Sequence, residues 1–405
     1  MKLLRYRRSA AVAVVAAVAV TCGTAGLSAS VPGTAVAGEV DVRPFDIGNY
    51  SVEPLEFHSA YRHSVENGTE LAIMRLAGHM VTGYEVDAKI AFGTGFKPIA
   101  KPADYTTRAA QADLQGVLQR NQLVYGLLAS ASASDKADLD TARGAVGFSI
   151  AVFQFPDATA AAAAAAEFEA VDFGVAAEDN TRVQLAGYPS ARSHWRPEVR
   201  SLGTRLAHGA YMIDLTAQES APDLAALTTL TERVLAKQLP LLDSLPPLSR
   251  RDIYRLEDDP SGLLRRTLNE TGSRLPRFPR ADRLYLAVLN RRGTILVQQD
   301  QAAIGRTYDE AGVDGVAFVD ATILLRARDP AAAHTLQRNL TEGKPGVIAG
   351  PDGVPDTVCR QVDLVRQSKY SCNVRYGRYV ATVVSDQIAD VRQRAAAQYA
   401  LLTNS

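Results

Sequence analysis

The distribution of hydrophobic and polar positions predicts two similar blocks of strands and helices. Residues 146–155 alternate as a β-strand does, with apolar side chains at every second position. An alanine-rich segment follows as far as Ala170, and Asp157 is placed to cap it by accepting backbone N–H bonds. The first block therefore begins as a strand that leads directly into a helix.

The same order recurs in the second half of the chain. Residues 321–325 form a strand-like run, Asp329 is placed as a helix cap, and Pro330 occupies the first helical position, where its missing N–H costs nothing. Further matching pairs are Gly187-Tyr188-Pro189 with Gly353-Val354-Pro355, residues 209–213 with 377–381, and the closing helices 223–242 and 387–402. We predict an internal duplication of one α+β unit, in which helices cover one face of an antiparallel sheet.

Paired prolines within residues 242–251 (LLDSLPPLSR) indicate a linker between the two units. We therefore expect an N-terminal α+β domain over residues 39–245 and a C-terminal α+β domain over residues 246–405. Three local elements are also predicted. They are a strand over 41–50 with a turn at Gly48-Asn49, a helix over 69–80 capped by Thr69, and a hairpin joining 284–289 to 294–298.

The first 21 residues have the pattern of a signal peptide. Four basic residues precede an uninterrupted run of small and apolar residues, which is too short to span a bilayer comfortably. Cys22 follows directly, at the position where a bacterial lipobox carries its lipidated cysteine, although Thr21 stands where that motif has Gly, Ala or Ser. Residues 22–38 would then be the lipidated cysteine and a flexible tether. Cleavage between Ala37 and Gly38, or no cleavage at all, are the alternatives.

Two further cysteines, Cys359 and Cys372, flank a segment with a polar, turn-like centre. On a hairpin that bends there, they would lie roughly opposite each other, where a disulfide can form. An exported protein permits such a bond, which would stabilise the fold by about 3 kcal/mol in the chain-entropy model. The alternative is a pair of buried free thiols.

Several motifs together resemble an uncharacterised family of actinobacterial exported lipoproteins, classified as a domain of unknown function. The segments that carry the resemblance are Asp41-Val42-Arg43, residues 46–50, the strand into Phe155-Pro156-Asp157, residues 311–314, the Cys359/Cys372 pair and residues 397–402. The resemblance covers most of the chain from residue 39 onward. It implies a lipid anchor at Cys22 and a cell-envelope location, and it implies no catalytic residues.

Composition narrows the class of protein. With 47% hydrophobic and 22% charged residues, the chain is neither wholly disordered nor a fibre, and its single long apolar run excludes a polytopic membrane protein. The formal net charge is zero, which argues against a nucleic-acid binder. Removal of the four basic residues before Cys22 would leave a mildly acidic mature chain.

The sequence contains none of the motifs that would identify a catalytic, cofactor or metal site. There is no HExxH, CxxC, complete Gly-x-Ser-x-Gly elbow or phosphate-binding loop. His58, Tyr61 and His63, with Glu66 and Glu70 after them, are interpreted as a polar loop leading into a helix rather than as metal ligands. We predict no cofactor and no catalytic residue.

The most unusual surface feature is a stretch from Arg250 to Arg292 with eleven arginines, six acidic residues and no lysine. Guanidinium groups match phosphate and carboxylate geometry, so this stretch is a candidate contact with lipid head groups or an anionic wall polymer. A solvated linker with local ion pairs is the alternative. The candidate contact residues are Arg265, Arg266, Arg274, Arg277, Arg280, Arg283, Arg291 and Arg292.

These observations favour a non-enzymatic binding or scaffold lipoprotein on the outer face of the cytoplasmic membrane. Its N-terminal lipid would contact the membrane, and its partner would be an envelope lipid, a wall polymer or another protein. A groove between the repeats is the expected ligand site. An envelope hydrolase or transferase with unfamiliar residues, and a sensor or regulatory partner of another envelope protein, are the competing hypotheses.

Overall fold

The computed structural model describes residues 40–106, 111–135, 145–279, 285–365 and 368–405. The predicted signal peptide, Cys22, the tether and the alternative cleavage site after Ala37 lie outside the described residues. Residues 42–405 form one compact unit.

The first repeat contains a seven-stranded sheet in which all neighbouring strands are antiparallel. Its helices are α1 Phe57–Ala60, α2 Val65–Ala77, α3 Gly83–Val86, α4 Gln111–Arg120, α5 Ala158–Gly174 and α6 Leu224–Asp243. Its strands are β1 Phe92–Ile99, β2 Tyr125–Ser132, β3 Gly147–Gln154, β4 Thr181–Val183, β5 Arg192–Trp195, β6 Ser201–His208 and β7 Tyr211–Gln218.

The second repeat contains another antiparallel sheet of seven strands. Its helices are α7 Arg250–Tyr254, α8 Arg291–Leu296, α9 Gln301–Ala311, α10 Pro330–Thr341 and α11 Ile388–Thr403. Its strands are β8 Leu286–Asn290, β9 Gly315–Val319, β10 Thr322–Arg326, β11 Val347–Ile348, β12 Thr357–Val365, β13 Ser368–Tyr376 and β14 Tyr379–Ser385.

Strand order confirms the predicted duplication. The sheets run β1-β2-β3-β7-β6-β5-β4 and β8-β9-β10-β14-β13-β12-β11, so the two orders are identical when each repeat is numbered from its own first strand. Asp157 and Asp329 are both helix caps, and their side chains accept from Ala160 N and Ala332 N. The α+β fold class with two related sheet-and-helix domains is therefore correct.

One buried glutamine in each closing helix makes the same pair of hydrogen bonds to the backbone. Gln238 in α6 accepts a hydrogen bond from one backbone N–H and donates to one backbone C=O of residues 79–81. Gln398 in α11 makes the same two bonds with residues 266–268. Both amides are fully buried, so these bonds satisfy groups that would otherwise be costly to remove from water.

Helices cover both faces of the first sheet, contrary to the expectation of a single covered face. Phe153 and Met212 pack with α4 and α5 on one side, whereas Ile213 and Leu215 pack with α2 and α6 on the other. Every residue of β2 is accordingly buried. A strand buried on both faces carries no hydrophobic alternation, so its sequence does not show which face a helix covers.

The two repeats share one continuous hydrophobic core, which includes Leu76 and Ile150 of the first repeat and Leu289 and Phe318 of the second. Backbone hydrogen bonds also cross the junction, because Gly93 N donates to the carbonyl of Gln299 at 2.8 Å. The region between the repeats is therefore a packed interface.

Three local predictions were wrong. Residues 290–293 do not form a hairpin turn, because the Asn290 side chain accepts from Gly293 N and starts α8, while β8 pairs with β9. The helix predicted over 69–80 begins at Val65 and is capped by Ser64. Residues 41–50 form turns rather than a strand, although Gly48 has the positive φ of 57° expected of a turn glycine.

The N-terminal segment instead packs against the last helix of the second repeat. The Tyr50 hydroxyl donates to Asp390 at 2.6 Å, and Phe45 lies edge-on to Tyr399 with ring centroids 6.0 Å apart. Burial and the Asp390 hydrogen bond raise the pKa of Tyr50 to about 12. Tyr50 therefore remains a neutral donor at physiological pH.

The disulfide between Cys359 and Cys372 is present. The two residues are direct partners in the register of β12 and β13, with 4.0 Å between their Cα atoms, and both are buried. In the first repeat, Ser193 and Thr204 are direct partners on the equivalent strands β5 and β6, and their hydroxyl oxygens are 2.8 Å apart. A hydroxyl pair thus stands where the second repeat has its disulfide.

Candidate functional site

A pocket of about 300 Å³ lies between α2 of the first repeat and the ends of β8, β9 and β10 in the second. We call it the inter-repeat pocket. Its apolar lining comes from α2, β8 and the chain that follows α7. These residues are Leu71, Met74, Leu256, Pro260, Val288 and Leu289. Its polar and charged lining residues include Arg75, His79, Glu257, Asp258, Ser261, Asn290, Asp314 and Arg326.

The two arginines at the pocket already have protein partners. The Nε of Arg326 lies 2.7 Å from an Asp314 carboxylate oxygen, and its Nη1 donates to the carbonyl of Ser261 at 3.4 Å. The Nη1 of Arg75 donates to the carbonyl of Pro246 at 2.9 Å. Both cations are therefore held in place by the protein itself.

His79 presents a hydrogen-bond acceptor at neutral pH. Its Nδ1 is 2.9 Å from the carbonyl oxygen of Arg75, and a carbonyl only accepts, so Nδ1 carries the proton and Nε2 keeps its lone pair. Burial, with smaller contributions from the positive charges of Arg75 and Arg292, lowers the pKa of His79. The imidazole is consequently neutral over a wider pH range than an exposed histidine.

Asp258 brings negative charge to the same region. It is only 2% exposed, and burial of Tyr61 together with the Asp258 charge raises the pKa of Tyr61 to about 12. The neighbouring Asp259 accepts from the backbone N–H groups of Leu264 and Arg265, and burial raises its pKa. These two carboxylates lie in the chain that follows α7.

A second concentration of polar groups is enclosed in the first repeat. We call it the buried charged cluster. It consists of Tyr105, Glu169, Asp172, His194, Arg205 and Asp214. The Arg205 guanidinium lies 2.7 Å from Asp172 and 2.9 Å from Asp214. Its Nη1 is 3.6 Å from Glu169.

A histidine and a tyrosine complete the cluster. His194 Nδ1 lies 3.0 Å from Glu169, and the Tyr105 hydroxyl donates to Asp214. Burial and the adjacent Asp214 carboxylate raise the pKa of Tyr105 well above its usual range. The Arg205 side chain is 5% exposed, so its charge is compensated by the neighbouring carboxylates rather than by water.

The second repeat has neutral residues at the equivalent positions. Arg205 pairs with Asp214 in the register of β6 and β7, and the equivalent pair in β13 and β14 is Asn373 with Thr382. The Thr382 hydroxyl donates to the Asn373 side chain at 2.9 Å. Counted from the helix caps, Glu169 corresponds to Thr341. The charges are thus not required by the shared fold. Because they are enclosed and mutually paired, we assign the cluster a structural role.

Part of the arginine-rich stretch is engaged in ion pairs where it is described. Four of its arginines each contact one carboxylate. The pairs are Arg265 with Glu56 at 2.9 Å, Arg277 with Glu70 at 4.0 Å, Arg291 with Asp309 at 2.5 Å, and Arg292 with Glu85. Two of these pairs, those of Arg277 and Arg292, join the second repeat to helices of the first.

The other candidate arginines have different surroundings. Arg266 donates to the carbonyl of Gly262 at 2.7 Å and lies 5.9 Å from the Tyr379 ring centre. Arg274 is exposed. Arg280 and Arg283 lie outside the described residues. Contact of this stretch with lipid or wall polymer stays a prediction.

His63, before α2, and Glu70, within α2, both contact backbone groups that are distant in the sequence. His63 Nδ1 lies 3.0 Å from the carbonyl oxygen of Tyr254, and Glu70 accepts from the backbone N–H of Phe278. Across the part of the chain that the structure describes, no group of three or more His, Cys, Asp or Glu side chains has the spacing of a metal site. None of the helices in that same part is long and apolar enough to cross a bilayer.

Sequence reasoning expected a groove between the repeats but did not identify its residues. Arg75 lies on α2 and His79 lies two residues beyond its end, whereas Arg326 ends β10. The four-residue spacing of Arg75 and His79 would place both on one side of a continuing helix, which is a weak signal in the sequence. Nothing in the sequence indicates that this side of the helix meets β8 to β10.

Two family models together match nearly all of the described chain. Residues 59–258 match the family model "Domain of unknown function (DUF7373) N-terminal", and residues 263–405 match "Domain of unknown function (DUF7373) C-terminal". No curated protein and no solved structure matches the chain.

Proposed function

The chain belongs to the DUF7373 family, and from its site geometry we propose that it is a binding protein of an actinobacterial cell envelope. In this proposal it is exported, anchored through a lipid on Cys22 to the outer face of the cytoplasmic membrane, and holds a small molecule in the inter-repeat pocket without converting it. The arginine-rich stretch would add a weaker contact with an envelope lipid, a wall polymer or a protein partner.

The observation that carries the binding role is the position and lining of the pocket. It lies where two repeats meet, which is where ligand sites are commonly found. Apolar side chains from both repeats line it, and the arginines beside it are held by Asp314, Ser261 and Pro246. Such an arrangement supports holding a ligand better than activating one.

The proposed export and anchor rest on the N-terminal sequence. A basic segment, an apolar run and Cys22 follow one another in the order of a lipoprotein signal. The buried disulfide between Cys359 and Cys372 agrees with an oxidising compartment.

The test is recovery of the protein from its native membrane, followed by mass spectrometry of its N-terminus and of co-purifying molecules. We expect a lipidated N-terminal cysteine and a small molecule in proportion to the protein. A Cys22→Ala variant that stays in the membrane fraction would contradict the anchor.

A matched pair of tryptophan variants tests the pocket in the same experiment. Val288→Trp adds a large side chain to the lining, whereas Val347→Trp places the same side chain on a short edge strand where Val347 is 70% exposed. The co-purifying molecule should be lost from Val288→Trp alone. Equal recovery from both variants would contradict a ligand at this pocket.

A further inference from the structure

The volume and lining of the inter-repeat pocket restrict the size and polarity of its occupant. About 300 Å³ is at the lower end of the range for small-molecule sites. Side chains such as Leu71, Met74 and Val288 line it, and burying apolar surface against them is favourable. The occupant therefore has a small apolar body.

The charges at the pocket leave little for a charged ligand to pair with. Asp314 already neutralises Arg326, and the guanidinium of Arg75 is engaged by the carbonyl of Pro246. Of the other two carboxylates, Asp258 is buried and has an interaction of its own within the protein, and Glu257 is exposed to solvent. A charged head group of either sign would therefore compete with these contacts or with water, and it would lose its own hydration on entering an apolar pocket.

Two polar groups at the pocket have unused hydrogen-bonding capacity within the described residues. The Oγ of Ser261 is buried and makes no hydrogen bond there, so a rotation about its Cα–Cβ bond can direct it to a ligand. The hydrogen bond described for the His79 imidazole is through Nδ1, which leaves Nε2 as an acceptor. A hydroxyl group both donates and accepts, so it suits this combination.

We propose that the inter-repeat pocket takes an uncharged amphipathic molecule, with a small apolar body and a hydroxyl group that pairs with Ser261 and His79. This inference rests on the proposed binding role and specifies the class of ligand for that site.

Three probes with the same six-carbon chain and different heads test the ligand class. They are hexan-1-ol, hexanoate and hexylammonium, each titrated into the purified full-length chain at neutral pH with ligand-observed NMR. We expect saturable binding of hexan-1-ol that is at least about tenfold tighter than binding of either ion. Tighter binding of hexanoate or hexylammonium would overturn the proposal, as would no saturable binding of hexan-1-ol.

Variants of the lining residues test whether hexan-1-ol binds in the inter-repeat pocket. Ser261→Ala should weaken hexan-1-ol binding by about two- to tenfold, as expected for loss of one hydrogen bond. Val288→Trp should abolish it, and Val347→Trp should leave it unchanged. Val288→Phe provides a second, smaller obstruction if near-UV circular dichroism shows that the tryptophan variant is misfolded. Hexan-1-ol binding that survives correctly folded obstructing variants would also overturn the proposal.

These outcomes separate the ligand class from the binding role. If an ionic probe binds best and Val288→Trp removes that binding, the ligand class is wrong and the pocket is still a ligand site. If no probe binds but the native molecule is lost from Val288→Trp, the same conclusion holds. If the native molecule is absent or insensitive to Val288→Trp, the proposed function itself fails.

Discussion

Replacing Arg205 with methionine removes the guanidinium that three buried or half-buried carboxylates share. Asp172 and Asp214 lie within 3 Å of it, and Glu169 lies at 3.6 Å. The side chains of Glu169 and Asp214 are 3% and 10% exposed, so water cannot replace the lost partner. Removing one member of a buried ion pair typically costs about 3–5 kcal/mol.

A loss of that size is a large share of the free energy of unfolding of an ordinary protein, which is about 5–15 kcal/mol. We expect the Arg205→Met variant to lose about 3–5 kcal/mol in urea denaturation followed by near-UV circular dichroism. The matched control is Arg196→Met. Arg196 pairs with Asp179 at 2.8 Å, but both side chains are more than half exposed, so its loss should be below about 1 kcal/mol.

The second repeat supplies a sharper control, because its equivalent positions are neutral. A variant with Arg205→Asn, Asp214→Thr and Glu169→Thr copies Asn373, Thr382 and Thr341. It removes two of the carboxylates together with the cation, so it should be about 1–3 kcal/mol more stable than Arg205→Asn alone. The reasoning is refuted if Arg205→Met loses no more stability than Arg196→Met, or if the triple variant is no better than the single one.

Three further predictions follow from the paired strands and from His79. Replacing Cys359 and Cys372 with serine should lower the free energy of unfolding by about 3 kcal/mol, and equal denaturation midpoints for the wild type and this variant would contradict that. Ser193 and Thr204 occupy the strand positions equivalent to Cys359 and Cys372, so a Ser193→Cys, Thr204→Cys double variant should form a second disulfide. Mass spectrometry would detect this bond as the loss of two hydrogens. Free thiols that persist after oxidation would show that the strand geometries differ. The pKa of His79 is lower in the folded state than its ordinary value near 6.5, so the unfolded chain binds more protons below that pH and stability falls as the pH drops through 6.5. His79→Asn should reduce this slope in denaturation measurements between pH 7.5 and about pH 5, and an unchanged slope would contradict the assignment.

The duplication shows which features belong to the fold and which to one repeat. The capping aspartates, the buried glutamines of the closing helices and the strand order occur in both repeats. The disulfide occurs in the second repeat, and the buried charged cluster lies in the first. The shared features satisfy backbone groups that any copy of this fold must bury. The cluster and the disulfide are therefore properties of single repeats and not of the shared fold.

Two helix caps and the cysteine pair are local features that the sequence predicted correctly. Asp157 and Asp329 begin helices as expected, and Cys359 and Cys372 face each other across a hairpin. Each depends on residues a few positions apart or on one tight turn. The hairpin predicted near residue 290 failed because a single asparagine, Asn290, suits a helix cap as well as a turn.

The sequence by itself therefore determined the duplication, the helix caps at Asp157 and Asp329 and the disulfide pairing, because these follow from residue order and short-range geometry. Only the tertiary structure decided that helices cover both sides of the first sheet, that Arg205 meets three carboxylates, and that α2 and β8 to β10 enclose a pocket. The reason is physical. Strands buried on both faces lack the alternation of apolar and polar residues that would show which face a helix covers. Contacts between distant segments depend on how the sheets and helices pack against each other.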